Sequence, residues 1–295
     1  MTCACCGSSD SRVSAMSNCH DRSLGIVRCR RCGFLYLNPL PTLDALERLY
    51  ADYEIPLQWR KGSEFFNHTI TSLVSRVTPP HGQILEIGCS YGKILSALQD
   101  KGFLVQGVEA SSRACQYIRR EYGFPVYEGL IETYLGTASI QLRFDTIIAL
   151  NVVEHLRDPY ATLSRLNGIL TPEGRVLVVV PDVALALLIG WFRNRLLRAD
   201  PYGMESGADV AAVAFNSPGH VSFFTRETLR LFVSRVGWKV LEHRHAPYVL
   251  SGRFPPLRKD LLKPILYYWV RLWEALGLGA MGLSYSQMLL AEKTS

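Results

Sequence analysis

The sequence predicts an α/β protein, with a mainly parallel sheet covered on both faces and a small cysteine-rich module in front of it. Two observations lead to this prediction. From Gln83 onward, short apolar segments alternate with segments of helical periodicity, the pattern of strand–helix–strand units. Before that point, six of the eight cysteines fall within the first 32 residues. The 295 residues suffice for one elaborated α/β domain and a small module.

The composition excludes several classes of protein. With 48% apolar and 20% charged residues, the chain is typical of a folded globular protein rather than a disordered one. A net charge of +6 is too small to require a nucleic-acid partner. The longest apolar run, Val183 to Phe192, is only about half as long as the roughly 20 residues of a membrane-spanning helix. Cysteines stand where a signal peptide would need an apolar stretch, so we expect a cytoplasmic protein.

The cysteines form two matched motifs, Cys3-x-x-Cys6-Gly7 and Cys29-x-x-Cys32-Gly33, separated by 22 residues. Each motif brings two thiolates onto one side of a turn, and two such turns complete a tetrahedral shell around Zn²⁺. The sequence therefore predicts a structural zinc site made by Cys3, Cys6, Cys29 and Cys32. The alternatives are a redox-active dithiol, or a different ligand set that includes Cys5, Cys19 or His20.

Between the cysteines and Gln83, the sequence predicts one strand and two helices. The strand begins at Phe34 and stops at the prolines that follow Asn38, and Thr42 caps a helix that extends to about Asp52. A second helix is predicted from Glu64 to Val77. We therefore divide the chain into a zinc-binding module with its linker, residues 1–62, and an α/β domain, residues 63–295.

The α/β domain reads as a regular alternation of strands and helices. The predicted strands are Ile84 to Gly88, Phe103 to Glu109, Pro125 to Glu128, Phe144 to Leu150, Arg175 to Val180, Trp238 to His243 and Ser286 to Ala291. The predicted helices are Gly92 to Lys101, Ser111 to Tyr122, Pro159 to Leu170 and Thr225 to Val236.

The first strand–helix turn, Glu86-Ile-Gly88-Cys89-Ser90-Tyr-Gly92, suggests a ligand site. A dinucleotide-binding turn would need glycine at 88, 90 and 93, and two of these positions differ. The observed pattern instead suits a ligand whose amino-acid end lies over the turn. Glu109 ends the second strand, where a carboxylate can accept hydrogen bonds from both hydroxyls of a ribose. The stretch that begins at Asn151 follows the fourth strand and faces the same sheet edge.

Together these motifs resemble the class I S-adenosylmethionine-dependent methyltransferases. The resemblance extends from Gln83 to about Lys293 and rests on the glycine turn, on Gly107-Val-Glu109-Ala-Ser, and on Glu154-His-Leu-x-Asp-Pro159. The subgroup that is most similar carries the paired cysteine motifs and a Gly219-His220-x-x-x-Phe224-Thr225 stretch, and its members modify sugars, cell-surface glycans or secondary metabolites. The resemblance implies a Rossmann-like seven-stranded sheet, mainly parallel with the last strand antiparallel, behind an N-terminal zinc ribbon.

The resemblance also implies roles for individual residues. Glu86 and the turn from Gly88 to Gly92 would hold the methionine end of S-adenosylmethionine, and Glu109 would bind the ribose. Where the family often has an acid for the adenine amine, this chain has Leu130, so backbone groups are expected there, with Glu132 a weaker candidate. The expected cofactor-binding residues are Glu86, Gly88, Cys89, Gly92, Glu109, Ala110, Leu130, Ile131 and Asn151. Ser90 departs from the family's usual glycine.

Two inserts interrupt the α/β pattern, at about residues 183–216 and 246–282. Both carry aromatic and basic side chains, such as Trp191 and Arg195 in the first and Tyr268 and Arg271 in the second. They are interpreted first as lids over an acceptor pocket, then as a dimerisation surface, and last as amphipathic helices that touch a membrane.

Methyl transfer to a hydroxyl or carbon requires a base, and histidine is the usual base at neutral pH. His220 is the first candidate and His155 the second, although His155 could instead cap a helix or join Glu154 in binding a divalent cation.

The sequence thus predicts a methyltransferase acting on oxygen or carbon of a small-molecule or saccharide acceptor. The alternatives are an RNA methyltransferase that holds nucleic acid with the zinc module, near Arg28, Arg30 and Arg31, and a non-catalytic scaffold that binds the cofactor.

Overall fold

A computed structural model describes residues 2–16, 25–51, 64–137, 143–184, 186–187, 219–246, 268 and 286–294. Within these ranges the chain forms two sheets, and helices connect the parallel strands of the larger one. The strands are β1 (Ser11–Met16), β2 (Gly25–Cys29), β3 (Leu35–Asn38), β4 (Gln83–Ile87), β5 (Leu104–Glu109), β6 (Val126–Glu128), β7 (Phe144–Leu150), β8 (Leu170–Pro181), β9 (Ser222–Phe223), β10 (Trp238–His245) and β11 (Ser286–Lys293). The helices are α1 (Leu43–Ala51), α2 (Glu64–Val77), α3 (Lys93–Gln99), α4 (Ser112–Glu121), α5 (Ile131–Gly136), α6 (Pro159–Ile169) and α7 (Arg226–Arg235).

The larger sheet has seven strands in the order β10-β11-β8-β7-β4-β5-β6. The strands from β8 to β6 pair in parallel, and β11 pairs antiparallel with both β8 and β10. Strands β4 and β7 lie in the middle of the sheet, and β7, whose sequence is unusually apolar, is buried on both faces, as β4 is. The predicted fold class is confirmed, including the antiparallel last strand.

The two faces of the large sheet pack against two apolar clusters. One cluster contains Ile87, Ala149 and Val178 together with residues of α6 and α7, and the other contains Ile84, Ile148 and Val179 together with residues of α2 and α3. Alternate residues of each strand therefore contribute to opposite clusters, as the pleat of a strand requires. Helix α7 begins with a capping box in which Thr225 and Thr228 each bond the other's backbone N–H, at the position where the sequence predicts the helix to start.

The smaller sheet joins the N-terminal module to the α/β domain. Its order is β1-β2-β3-β9, and β9 comes from the segment directly after His220. Phe34, next to the second cysteine motif, packs against Phe224 and Phe232 of the α/β domain at ring-centroid distances of 5.3 and 4.9 Å. The module is therefore attached through a strand pairing and through a shared apolar core.

The structure corrects several element boundaries. Strand β8 begins at Leu170, five residues before the predicted Arg175, because Leu170 already pairs with Phe144 ahead of an irregularity in the ladder. Strands β1, β2 and β9 and helix α5 were not predicted. The proposed boundary at residues 62 and 63 lies outside the described residues, so the division into domains stays a prediction.

Both inserts lie almost wholly outside the described residues. Tyr268, from the second insert, is described, and its ring contacts that of Phe65 with the centroids 6.4 Å apart. Among the described residues, none of the helices has the length and apolar character that crossing a bilayer requires.

Candidate functional site

The glycine turn lies at the carboxyl ends of β4 and β5, next to the start of the segment that follows β7. Gly88 and Gly92 adopt the left-handed conformation, with φ of +66° and +71°. A Cβ at Gly88 would collide with Val152, and one at Gly92 would lie 2.7 Å from Cζ of Phe124. Both positions therefore require glycine for backbone conformation and for space.

Ser90, the departure from the family pattern, also has a left-handed backbone, with φ of +50°. Its backbone N–H donates a 2.8 Å hydrogen bond to Oε2 of Glu109. Serine in this position thus keeps the conformation that glycine would adopt, and the turn remains connected to the carboxylate on the neighbouring strand.

Glu109 is held by backbone N–H groups at the carboxyl end of β5. Its Oε1 accepts a 2.8 Å hydrogen bond from the N–H of Ser111, while Oε2 accepts the bond from Ser90. Burial raises the pKa of this carboxyl, and the backbone N–H groups of Ser111, Ser90 and Ala110 oppose the rise. A carboxylate has about four acceptor positions, so Glu109 retains capacity for hydroxyl donors from a ligand.

Glu86 lies inside β4, with only 3% of its surface exposed. Its Oε2 has no hydrogen-bond partner among the described residues. Burial, and then the nearby charge of Glu109, raise the pKa of Glu86 well above its usual value. A buried carboxyl with an unsatisfied oxygen beside a glycine turn is costly unless a donor reaches it, and an ammonium group of a ligand would meet that need.

The remaining predicted cofactor residues lie along the same sheet edge. Cys89 is buried within the glycine turn. Leu130 and Ile131 form the start of α5, directly after Gly129, whose N–H donates to the carbonyl of Glu109 at 2.9 Å. Asn151 follows β7 with a left-handed φ of +54°. The geometry therefore fits S-adenosylmethionine along the carboxyl ends of β4 to β7, with its amino-acid end at Glu86 and its ribose at Glu109.

A second group of polar side chains follows β7 and brings both predicted histidines together. The rings of His155 and His220 meet edge to face, with their centroids 4.7 Å apart. Nε2 of His220 lies 4.0 Å from Oε1 of Glu154, and Nδ1 of His155 lies 2.7 Å from the hydroxyl of Tyr50. We call Tyr50, Glu154, His155 and His220 the histidine cluster.

Electrostatics favour uncharged groups in this cluster. Glu154 is 1% exposed, neither of its oxygens has a hydrogen-bond partner among the described residues, and burial raises its pKa to about 8. Burial lowers the pKa of His155 to about 4, although a hydrogen bond with the backbone of Gly219 opposes this shift. Ligand atoms of Glu154, His155 and His220 all lie within 4.8 Å of one another. Such an arrangement can exchange a proton or coordinate a cation.

The four predicted zinc ligands also meet in space. The Sγ atoms of Cys3 and Cys32 are 3.6 Å apart, and those of Cys6 and Cys29 are 3.5 Å apart. Two sulfurs on a tetrahedral zinc, each about 2.3 Å from the metal, would be roughly 3.8 Å apart. Gly7 and Gly33 follow the motifs with φ of +73° and +77°, as the turns require. The geometry fits a four-thiolate zinc site, whereas the alternative ligands Cys19 and His20 lie outside the described residues.

Comparison with known proteins agrees with this geometry. A family model described as a methyltransferase domain matches residues 59–243. A mitochondrial ubiquinone biosynthesis O-methyltransferase of Schizosaccharomyces pombe is 24% identical over 217 residues, which cover 72% of this chain and 69% of that protein.

Solved structures share the fold at low sequence identity. The plantazolicin methyltransferase BamL, solved with SAH, has a TM-score of 0.51 and 14% identity, covering 80% of this chain and 88% of that one. A structure of a complex between the Haloferax volcanii methyltransferase activator Trm112 and a methyltransferase has a TM-score of 0.51 and 15% identity. The match covers 85% of this chain and 98% of that one. Since the family match spans more than half of the chain, the protein belongs to the class I S-adenosylmethionine-dependent methyltransferases.

Proposed function

We propose that the enzyme transfers a methyl group from S-adenosylmethionine to an oxygen or carbon atom of a small-molecule or saccharide acceptor in the cytoplasm. The observation that carries this proposal is the histidine cluster. It follows β7, at the sheet edge where we place the cofactor, and it offers groups suited to proton transfer. The curated relative from Schizosaccharomyces pombe is named an O-methyltransferase of ubiquinone biosynthesis, which supports a small-molecule acceptor.

S-adenosylmethionine supplies a methyl carbon that its sulfonium has already activated. The protein therefore has to align the acceptor with that carbon and to remove the acceptor's proton. In this proposal Glu86 holds the amino-acid end of the cofactor and Glu109 holds its ribose. Of the two histidines, His220 is the better base, because the low pKa of His155 makes it a weak proton acceptor near neutral pH. Glu154 places its Oε1 4.0 Å from Nε2 of His220, where a carboxyl oxygen can face the imidazolium that forms.

In this proposal the zinc is structural. Four sulfurs leave no open coordination position, so the metal would fold the N-terminal module rather than take part in methyl transfer. The module in turn supports β9 and supplies Tyr50 to the histidine cluster.

The RNA methyltransferase alternative has one structural feature in its favour. Arg12, Arg28 and Arg30 line a groove of about 500 Å³ beside Cys29 and Cys32. A zinc ion with four thiolates carries two net negative charges, however, and these arginines are placed to balance them. We therefore favour a small acceptor over nucleic acid.

Mass spectrometry of candidate acceptors tests the proposal. The purified enzyme is incubated with S-adenosylmethionine and pools of small metabolites, saccharides or RNA, and we expect the mass gain of one methylene in a small molecule or saccharide. The Glu109→Ala variant serves as a control with impaired cofactor binding. Methylation of RNA alone would support the alternative, and thermal stabilisation by the cofactor without any methylated product would favour a binding scaffold.

Replacing Glu109 with alanine is expected to weaken S-adenosylmethionine binding at least tenfold. Alanine cannot accept hydrogen bonds from the ribose hydroxyls, and one hydrogen bond to a charged group contributes about 1.5–3 kcal/mol. Isothermal titration calorimetry measures the change. Glu128→Ala is the matched control, because Glu128 pairs with Glu109 across β5 and β6 but bonds the exposed Arg119. Equal affinity of wild type and Glu109→Ala would place the ribose elsewhere.

A further inference from the structure

The N-terminal module delivers one side chain to the histidine cluster. Tyr50 is the penultimate residue of α1, and its hydroxyl lies 2.7 Å from Nδ1 of His155 and 3.2 Å from the carbonyl oxygen of Gly219. The rings of Tyr50 and His155 meet at 89°, with centroids 5.7 Å apart. The contact thus joins the end of α1 to two segments of the α/β domain.

Gly219 makes room for this contact. Its backbone has a left-handed φ of +88°, and a Cβ there would overlap the hydroxyl of Tyr50 and approach Nδ1 of His155 to 3.0 Å. Any other residue before His220 would therefore push the tyrosine away from the histidine. The glycine, the tyrosine and the histidine form one fitted arrangement.

The protons of this arrangement can be assigned from the chemistry of its atoms. The Gly219 carbonyl only accepts hydrogen bonds, and the hydroxyl of Tyr50 can donate its single proton there over 3.2 Å. With its proton on the carbonyl, the hydroxyl oxygen is the acceptor for Nδ1 of His155, which places a proton on Nδ1. The Gly219 backbone also bonds the His155 ring in the sense that favours a ring N–H. Because burial lowers the pKa of His155 to about 4, the ring is neutral near pH 7 and carries one proton. Its Nε2 is left with a lone pair.

We propose that Tyr50 is a positioning residue that fixes His155 as the Nδ1–H tautomer, so that Nε2 serves as a hydrogen-bond acceptor beside His220. This role rests on the proposed function, in which His220 takes the acceptor's proton. It also gives the N-terminal module a part in catalysis, because the active site lacks this tyrosine when α1 is displaced.

Nuclear magnetic resonance of ¹⁵N-histidine-labelled full-length protein tests the proposal without any acceptor. Long-range ¹H–¹⁵N correlation spectra near pH 7.5 distinguish the two neutral tautomers, and the His155→Gln variant identifies the signals of His155. We expect the Nδ1–H form in the wild type and loss of that preference in Tyr50→Phe, which keeps the ring and removes the hydroxyl. Tyr134→Phe is the matched control, since that hydroxyl accepts a hydrogen bond from the side chain of Gln106.

Two results would overturn the proposal. One is the Nε2–H form in the wild type, and the other is an unchanged tautomer in Tyr50→Phe. Calorimetry with S-adenosylmethionine checks that Tyr50→Phe is folded, because cofactor affinity should stay within about twofold when a neutral hydrogen bond outside the cofactor site is removed. Failure to find a small-molecule or saccharide acceptor would contradict the proposed function, whereas the tautomer result would still test the role of Tyr50.

Discussion

Purified protein is expected to contain about one zinc ion per chain, and removal of the zinc is expected to unfold the N-terminal sheet. Strands β1 to β3 have only six, five and four residues, so they form a small sheet with little core of its own. Structural zinc contributes about 10–16 kcal/mol in zinc-finger peptides near neutral pH, and most of the module's folding free energy should come from the metal.

The loss of zinc should also reach the active site. Strand β3 pairs with β9, which begins two residues after His220, and α1 carries Tyr50. Hydrogen exchange after chelation should therefore accelerate in β1 to β3 and in residues 219–223, while β4 and β7 in the centre of the large sheet stay protected. Equal acceleration in all strands would show that zinc stabilises the whole chain as one unit.

The ligand set is tested by two variants. Replacing Cys29 and Cys32 together with serine should abolish stoichiometric zinc in elemental analysis. Cys5→Ser is the matched control, because Cys5 is buried in the same module and its thiol lies 3.8 Å from the carbonyl oxygen of Thr228. Equal zinc in the double variant and the wild type would rule out this site, and loss of zinc in Cys5→Ser would add Cys5 to the ligands.

Local patterns in the sequence were sufficient to predict that the glycine turn and Glu109 lie at one edge of the sheet. The turn from Gly88 to Gly92 follows β4, and Glu109 ends β5, because parallel strands bring their carboxyl ends to one edge. Both positions could be read from apolar runs and the glycines beside them. The seven-stranded fold follows from the same alternation.

The contacts between the module and the α/β domain could not be predicted in this way. Strand β9 has two residues, too few for any periodicity, and it pairs with a strand that lies far earlier in the chain. Tyr50 and His155 are 105 residues apart, and no motif links them. The sequence suggested both histidines, but burial and tertiary neighbours decide which is neutral, and these properties exist only in the folded chain.

Replacing His220 with alanine is expected to lower turnover by about 10²–10⁴-fold, the usual range for loss of a general base. The acceptor is the one identified by mass spectrometry, and the rate is measured at saturating S-adenosylmethionine. Cofactor affinity should barely change, because His220 lies in the histidine cluster and not at Glu86 or Glu109. His155→Ala is the necessary comparison, and a smaller loss is expected there, since His155 is a weak base.

The pH dependence of the rate provides a second way to separate the two histidines. A base acts in its unprotonated form, so the rate rises with pH as the base loses its proton. His155, with its pKa lowered by burial to about 4, would give a rate that has already levelled off well below pH 6. A rise that extends toward histidine's unperturbed pKa of about 6.5, and that disappears in His220→Ala, would identify His220 as the base.

A large loss in His155→Ala with near-normal turnover in His220→Ala would reverse the assignment. Small losses in both variants would mean that the acceptor is acidic enough to lose its proton unaided, as a carboxylic acid is, and the general-base mechanism would then be wrong while the enzyme remained a methyltransferase.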